Sequence, residues 1–175
     1  MKKLLTIALL ASGLMMSTHG ANAQNDDKSK RPSPPAKVTE KLASGATISI
    51  DYSQPSVKGR TIGKDLEPME GKVWRTGANE ATVFESDKDI MVNGKKLPAG
   101  KYGLFTIFSG NDATVIFNKT WKQWGAFTYK EQDDALRTKV KVKVASPAAE
   151  KLVFSISANE VTLMWGNKKI EFTVK

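Results

Sequence analysis

From Lys37 to Lys175 apolar side chains recur at every second position. Ile48, Ile50 and Tyr52 alternate with Thr47, Ser49 and Asp51, and Val140, Val142 and Val144 alternate with Lys139, Lys141 and Lys143. Leu152, Phe154 and Ile156 follow, then Val161, Leu163 and Trp165, then Ile170, Phe172 and Val174. A strand sends successive side chains to opposite faces, so this period predicts strands with one buried face. Ser44-Gly45, Asn93-Gly94, Gly110-Asn111-Asp112, Asn159-Glu160 and Gly166-Asn167 fall between the runs and suit tight hairpins. Only residues 130–136 (KEQDDAL) read as helical, for about one turn. The expectation is an all-β chain: an antiparallel β-sandwich of roughly ten short strands.

The first residues carry a different pattern. Lys2 and Lys3 precede an uncharged apolar run, LLTIALLASGLMM, and Ala21-Asn22-Ala23 has the small-x-small form that a signal peptidase cuts. The run is shorter than the roughly 20 apolar residues that a membrane-spanning helix needs. Residues 1–23 are therefore expected to be a signal peptide, cleaved after Ala23, for a soluble protein exported to the periplasm or the exterior. Residues 24–36 (QNDDKSKRPSPPA) offer almost nothing to bury and are expected to be a disordered, Pro-rich lead-in. Residues 37–175 are expected to form a single β-sandwich domain.

Composition narrows the chemistry. The chain has no Cys, and its one His, His19, lies in the expected signal peptide. Disulfides, thiolate nucleophiles, Ser-His-Asp catalysis and His- or Cys-ligated metals are then excluded. The acidic clusters Asp87/Asp89 and Asp133/Asp134 lack a calcium-loop spacing, so no metal and no cofactor are expected. A net charge of +9 favours anionic partners. Specific nucleic-acid binding is not expected: there is no binding motif, and arginine occurs only as Arg31, Arg60, Arg75 and Arg137. No feature points to a particular oligomeric state.

Residues 59–65 (GRTIGKD) look superficially like a phosphate loop. The glycine spacing is one residue short, and Asp65 stands where a Ser or Thr should be. Asn118-Lys119-Thr120 matches a glycosylation sequon that is common by chance. The row Lys139/Lys141/Lys143 is read as an outward strand face that blocks edge pairing. Residues 97–105 read as a turn into a strand, with Tyr102 bonding back to the backbone as in a tyrosine corner.

Two segments are dense in functional groups. Residues 73–82 (VWRTGANEAT) set an indole, a guanidinium, an amide and a carboxylate within seven positions. They are either the wall of a polar site, with Arg75 as anion or sugar ligand and Glu80 as acceptor, or a crossover pinned by an Arg75–Glu80 pair. Residues 121–127 (WKQWGAF) space three aromatics at intervals of three. They are either a platform for stacking on sugar rings or a plug of core aromatics. A site is expected around Arg75, Asn79, Glu80, Trp121 and Trp124, with Tyr52 and Arg60 nearby.

Residues 50–60, 74–82, 98–107, 115–119 and 123–127, in this order, resemble the exported bacterial family known as domain of unknown function 2911. The resemblance spans residues 30–175. It implies an exported all-β domain and brings no established activity or cofactor. The reading is a noncatalytic ligand-binding module for a glycan or a cell-envelope component, more a binder than an enzyme. One alternative is a carboxylate-dependent hydrolase such as a glycosidase, using Asp51 and Glu80 about 5–5.5 Å apart if retaining or about 6.5–9.5 Å apart if inverting. The other is a structural envelope protein.

Overall fold

The computed structural model describes residues 27–157 and 159–175. The expected signal peptide and residues 24–26 lie outside them. Eleven strands form: β1 (Pro35–Lys41), β2 (Thr47–Ser53), β3 (Val73–Trp74), β4 (Thr82–Ser86), β5 (Ile90–Val92), β6 (Lys95–Leu97), β7 (Gly100–Ser109), β8 (Asp112–Asn118), β9 (Asp134–Lys141), β10 (Lys143–Ser157) and β11 (Glu160–Thr173). Every strand pairing is antiparallel. The main sheet runs β1-β2-β4-β7-β8-β9. The ten-residue β7 carries β4 along its first half and β3 beside Thr106 and Ile107. The long β10–β11 hairpin forms the second layer, and β5–β6 is a small separate ribbon.

Alternation decides which face is covered. Ile48, Ile50, Phe84, Leu104, Val115 and Phe117 point inward from the main sheet. They meet Leu152, Phe154, Leu163, Trp165, Ile170 and Phe172 from the hairpin. Phe117 ties the layers together, with ring centroids 5.0 Å from Phe84 and 5.9 Å from Phe172, both edge-on. The chain is thus an all-β sandwich. The Tyr102 hydroxyl donates to the Pro98 carbonyl at 2.9 Å, the corner that its position in the turn predicts. Asn93 and Gly94 both take positive φ between β5 and β6, as a two-residue hairpin turn requires.

Three expectations are corrected. Gly166-Asn167 is not a hairpin turn but a bend inside β11. Gly166 takes φ +56°, and a Cβ there would collide with the Ile62 side chain, so the glycine lets one strand curve against the residue 56–66 loop. The Val140–Val144 alternation is broken at Val142, where the chain leaves the main sheet for the hairpin. Val144 is 81% exposed as a result. The lysine row is split with it: Lys141 pairs with Asp112 at 2.6 Å and Lys143 with Glu171 at 2.6 Å. Finally, the lead-in is ordered from Asp27. A short 3-10 turn (Lys28–Lys30) is capped by Asp27, and β1 starts at Pro35 rather than Lys37. Charged side chains hold this segment where apolar burial does not.

The outer face of the main sheet is only partly covered. Ala81, Phe105 and Ile116 form a second, smaller core there, capped by Ala126 and Tyr129 of the residue 119–130 loop. Asn118 of the sequon is fully buried beneath that loop, where no glycan could be attached. Residues 130–136 form a 3-10 turn (Glu131–Asp133) that leads straight into β9.

Candidate functional site

The two segments singled out in the sequence lie side by side on this outer face. The Ala81 amide donates to the Gln123 carbonyl at 3.0 Å, and the Gly125 amide donates to the Asn79 carbonyl at 3.0 Å. Glu80 and Trp124 are directly opposed in that two-bond clamp. Asn79 takes φ +57°, a left-handed conformation that Asn tolerates better than most residues. The clamp leaves the Trp124 side chain outside the core, 54% exposed. Trp121 is half-buried, with Lys101 Nζ 5.5 Å above its ring.

The aromatic loop is fixed from below. Asp134 accepts from Asn118 Nδ2 at 2.7 Å, from the Tyr129 hydroxyl at 2.8 Å and from Arg137 Nε at 2.5 Å. Thr120 donates to Asp133 at 3.1 Å, and Gln123 Nε2 donates to the Thr120 carbonyl at 2.6 Å. Burial first, then the bond to Asp134, pushes the Tyr129 phenol up to about 12, so it stays protonated. These side chains hold Trp124 on a rigid base.

The N-terminal segment closes the other side. Lys28 Nζ meets Glu80 Oε1 at 2.9 Å, and Arg31 Nη1 meets both carboxylate oxygens at 3.0 and 3.1 Å. The Arg31 guanidinium carbon lies 5.9 Å from the Trp124 ring centroid, a cation–π distance. Asn79 Nδ2 donates to the Ser33 carbonyl at 3.0 Å. Partial burial acts to raise the Glu80 pKa. Hydrogen bonds from Lys28 and Arg31, with the Lys28 charge, outweigh it and hold the carboxyl at about 2.

Between these walls runs a groove. One part, about 160 Å³, is bounded by Lys28, Arg31, Asp51 and Glu80. A neighbouring part, about 400 Å³, is bounded by Lys28, Glu80, Val83, Trp121 and Trp124. Lys28, Glu80, Ala81 and Val83 line both. Asp51 and Glu80 therefore share one groove, and Asp51 is itself paired with Lys37 at 2.9 Å.

Of the other expected site residues, Tyr52 borders the first part of the groove with little exposed surface, and Arg75 and Arg60 lie elsewhere. Tyr52 is 8% exposed and belongs to the core, where its ring packs edge-on against Phe154 at 4.9 Å and its hydroxyl accepts from the Phe154 amide. Its place beside Ile48 and Ile50 in the inward alternation is the reason. The Arg75–Glu80 pin does not form, because Glu80 is taken by Lys28 and Arg31 from a segment whose composition predicts disorder. Arg75 instead lines a separate pocket with Arg60. Lys28 and Arg31 were missed because no periodicity marks them. The one local signal was Asp27-Lys28-Ser29, an Asx turn in which Asp27 accepts from the Ser29 amide at 3.2 Å.

A model of a protein family described as protein of unknown function (DUF2911) matches residues 33–174. The chain belongs to this family. No curated protein and no solved structure matches it. The matched region includes the clamp, the aromatic loop and the whole sandwich, but begins just after Lys28 and Arg31. Among the described residues, no helix is long and apolar enough to cross a membrane, and no three acidic side chains converge to hold a metal ion.

Proposed function

We propose that this DUF2911 protein is an exported, noncatalytic binding module whose outer-face groove takes a glycan chain of the cell envelope. The observation that carries the reading is the clamp that opposes Glu80 and Trp124. It presents a half-exposed indole next to hydrogen-bonding charge on a rigid sheet. Sugars stack on such rings through their apolar faces and bond at their rims to carboxylates and ammonium groups. Glu80, Lys28 and Gln123 supply the rim, and Trp124 and Trp121 supply the platform. The charge of +9, which becomes +7 when Lys2 and Lys3 leave with the signal peptide, suits an anionic polymer, and the Lys2–Lys3, apolar and Ala21–Ala23 pattern supports delivery to the envelope.

Binding is favoured over hydrolysis by the state of the carboxylates. A glycosidase needs one carboxylic acid kept protonated near neutral pH. Glu80 is held ionised by two cations, and Asp51 is paired with Lys37. No particular contact favours a purely structural envelope role. The test is a tryptophan-fluorescence titration with glycans and peptidoglycan fragments. A saturable change that W124A loses is the expected result. A spectrum that no member of the panel alters would overturn the proposal.

A further inference from the structure

Arg75 is placed for a ligand that the groove does not explain. It leaves β3 through a tight turn that is fixed at each step. The Trp74 indole donates to the Gly77 carbonyl at 3.1 Å, the Thr82 hydroxyl donates to the Thr76 carbonyl at 2.9 Å, and the Thr82 amide donates to the Arg75 carbonyl at 3.2 Å. Thr76 itself sits at φ +54° with no exposed surface. The Arg75 side chain is thus rooted in a rigid corner. Its Nε is buried and has no hydrogen-bond acceptor among the described residues. Buried guanidinium donors are nearly always paired, so an orphan on a side chain that lines a pocket points to a missing acceptor.

The pocket measures about 380 Å³ and opens between the residue 55–69 loop and β11. Pro55, Leu66, Met69, Trp74 and Trp165 give it apolar walls. Arg60, Asp65 and Glu67 are its other charged residues. Each is anchored to its own loop: Arg60 donates to the Val57 and Ser56 carbonyls at 3.1 and 2.8 Å, Asp65 accepts from the Thr61 amide at 2.9 Å, and Glu67 accepts from the Met69 amide at 2.7 Å. Neither carboxylate bonds to Arg75. Two guanidinium and two carboxylate groups leave the pocket neutral, which disfavours a polyanion.

We infer that this pocket is a second binding site, for a small organic monocarboxylate with an apolar body, its carboxylate received by Arg75 with Arg60 beside it. A guanidinium meets a carboxylate through two parallel N–H bonds, and Nε joins that fork once the Arg75 side chain turns to bring it to the ligand. Asp65 and Glu67 repel the second charge of phosphate. The apolar walls take the hydrocarbon part.

The experiment uses the ¹⁵N-labelled protein and hexanoate, with inorganic phosphate and chloride at equal ionic strength. The Arg75 Nε–Hε resonance and the Trp74 and Trp165 indole resonances are followed by NMR. Hexanoate is expected to shift all three saturably, with Kd on the order of 1 mM or tighter. R75K keeps the charge but loses the fork, and weakens the indole response about tenfold or more. R60Q, at an exposed position, weakens it less. W124A leaves it unchanged, so loss of groove binding and loss of this site are separable. A response that follows ionic strength, that survives R75K or that is stronger for phosphate overturns the inference.

Discussion

Replacing Glu80 by Gln keeps the side chain's shape and removes the charge that Lys28 and Arg31 both meet. The carboxyl titrates at about 2 in the folded chain against an ordinary 4.5. A gap of that size corresponds to about 3 kcal/mol if nothing screens it. The Glu80 side chain is 39% exposed, so solvent screening reduces the expected loss to about 1 kcal/mol. The folded-state pKa is lowered, so this stability is fully present above pH 4.5 and is lost as the pH falls through about 2. Urea unfolding of wild type and E80Q at a series of pH values measures it. The midpoints should differ at pH 7, converge between about pH 4.5 and pH 2, and coincide below that. Trypsin adds a local readout: with the anchor removed, cleavage after Lys28 and Lys30 should accelerate in E80Q, while the Arg31–Pro32 bond resists trypsin in both proteins. Arg31's side chain is only 18% exposed while it is held. A difference between the variants that persists unchanged at pH 2, or equal trypsin sensitivity at pH 7, would refute the reasoning.

Other expected outcomes follow from the same geometry. F117A, at the fully buried ring between the two layers, costs about 3–5 kcal/mol by urea denaturation. D134A leaves Asn118, Tyr129 and Arg137 without their shared acceptor and costs about 3 kcal/mol. It should also increase acrylamide quenching of Trp121, as the loop loses its base. G166A forces a Cβ against Ile62 at φ +56° and costs about 1–3 kcal/mol, read as a lower melting temperature.

The sheet was legible because burial on one side writes itself as alternation. Ile48, Ile50 and Tyr52 face inward as their spacing says, which sets the Tyr52 ring in the core although the residue was expected near the site. The alternation misled where a strand changes layers. Val144 keeps the apolar beat but lies past the break at Val142, and Gly166 has turn chemistry yet serves a bend inside β11. The aromatic and polar segments were visible as unusual density, and the structure joins them through backbone bonds between Asn79–Ala81 and Gln123–Gly125 that side-chain pattern does not encode. The pairing of Arg31 with Glu80, 49 positions apart, was not legible. Any of several cations could have met that carboxylate, and the sequence offered Arg75 as the nearest.

The proposed function requires the groove beside Trp124 to be a binding surface. Calorimetric titration of wild type and W124A with one peptidoglycan-derived glycan fragment tests this most directly, because its signal does not depend on the indole that is removed. Saturable binding to wild type and a loss of about two- to tenfold in W124A are expected, the scale of one lost stacking contact. Equal affinity in the two proteins, or no heat of binding to wild type, would contradict the proposed function.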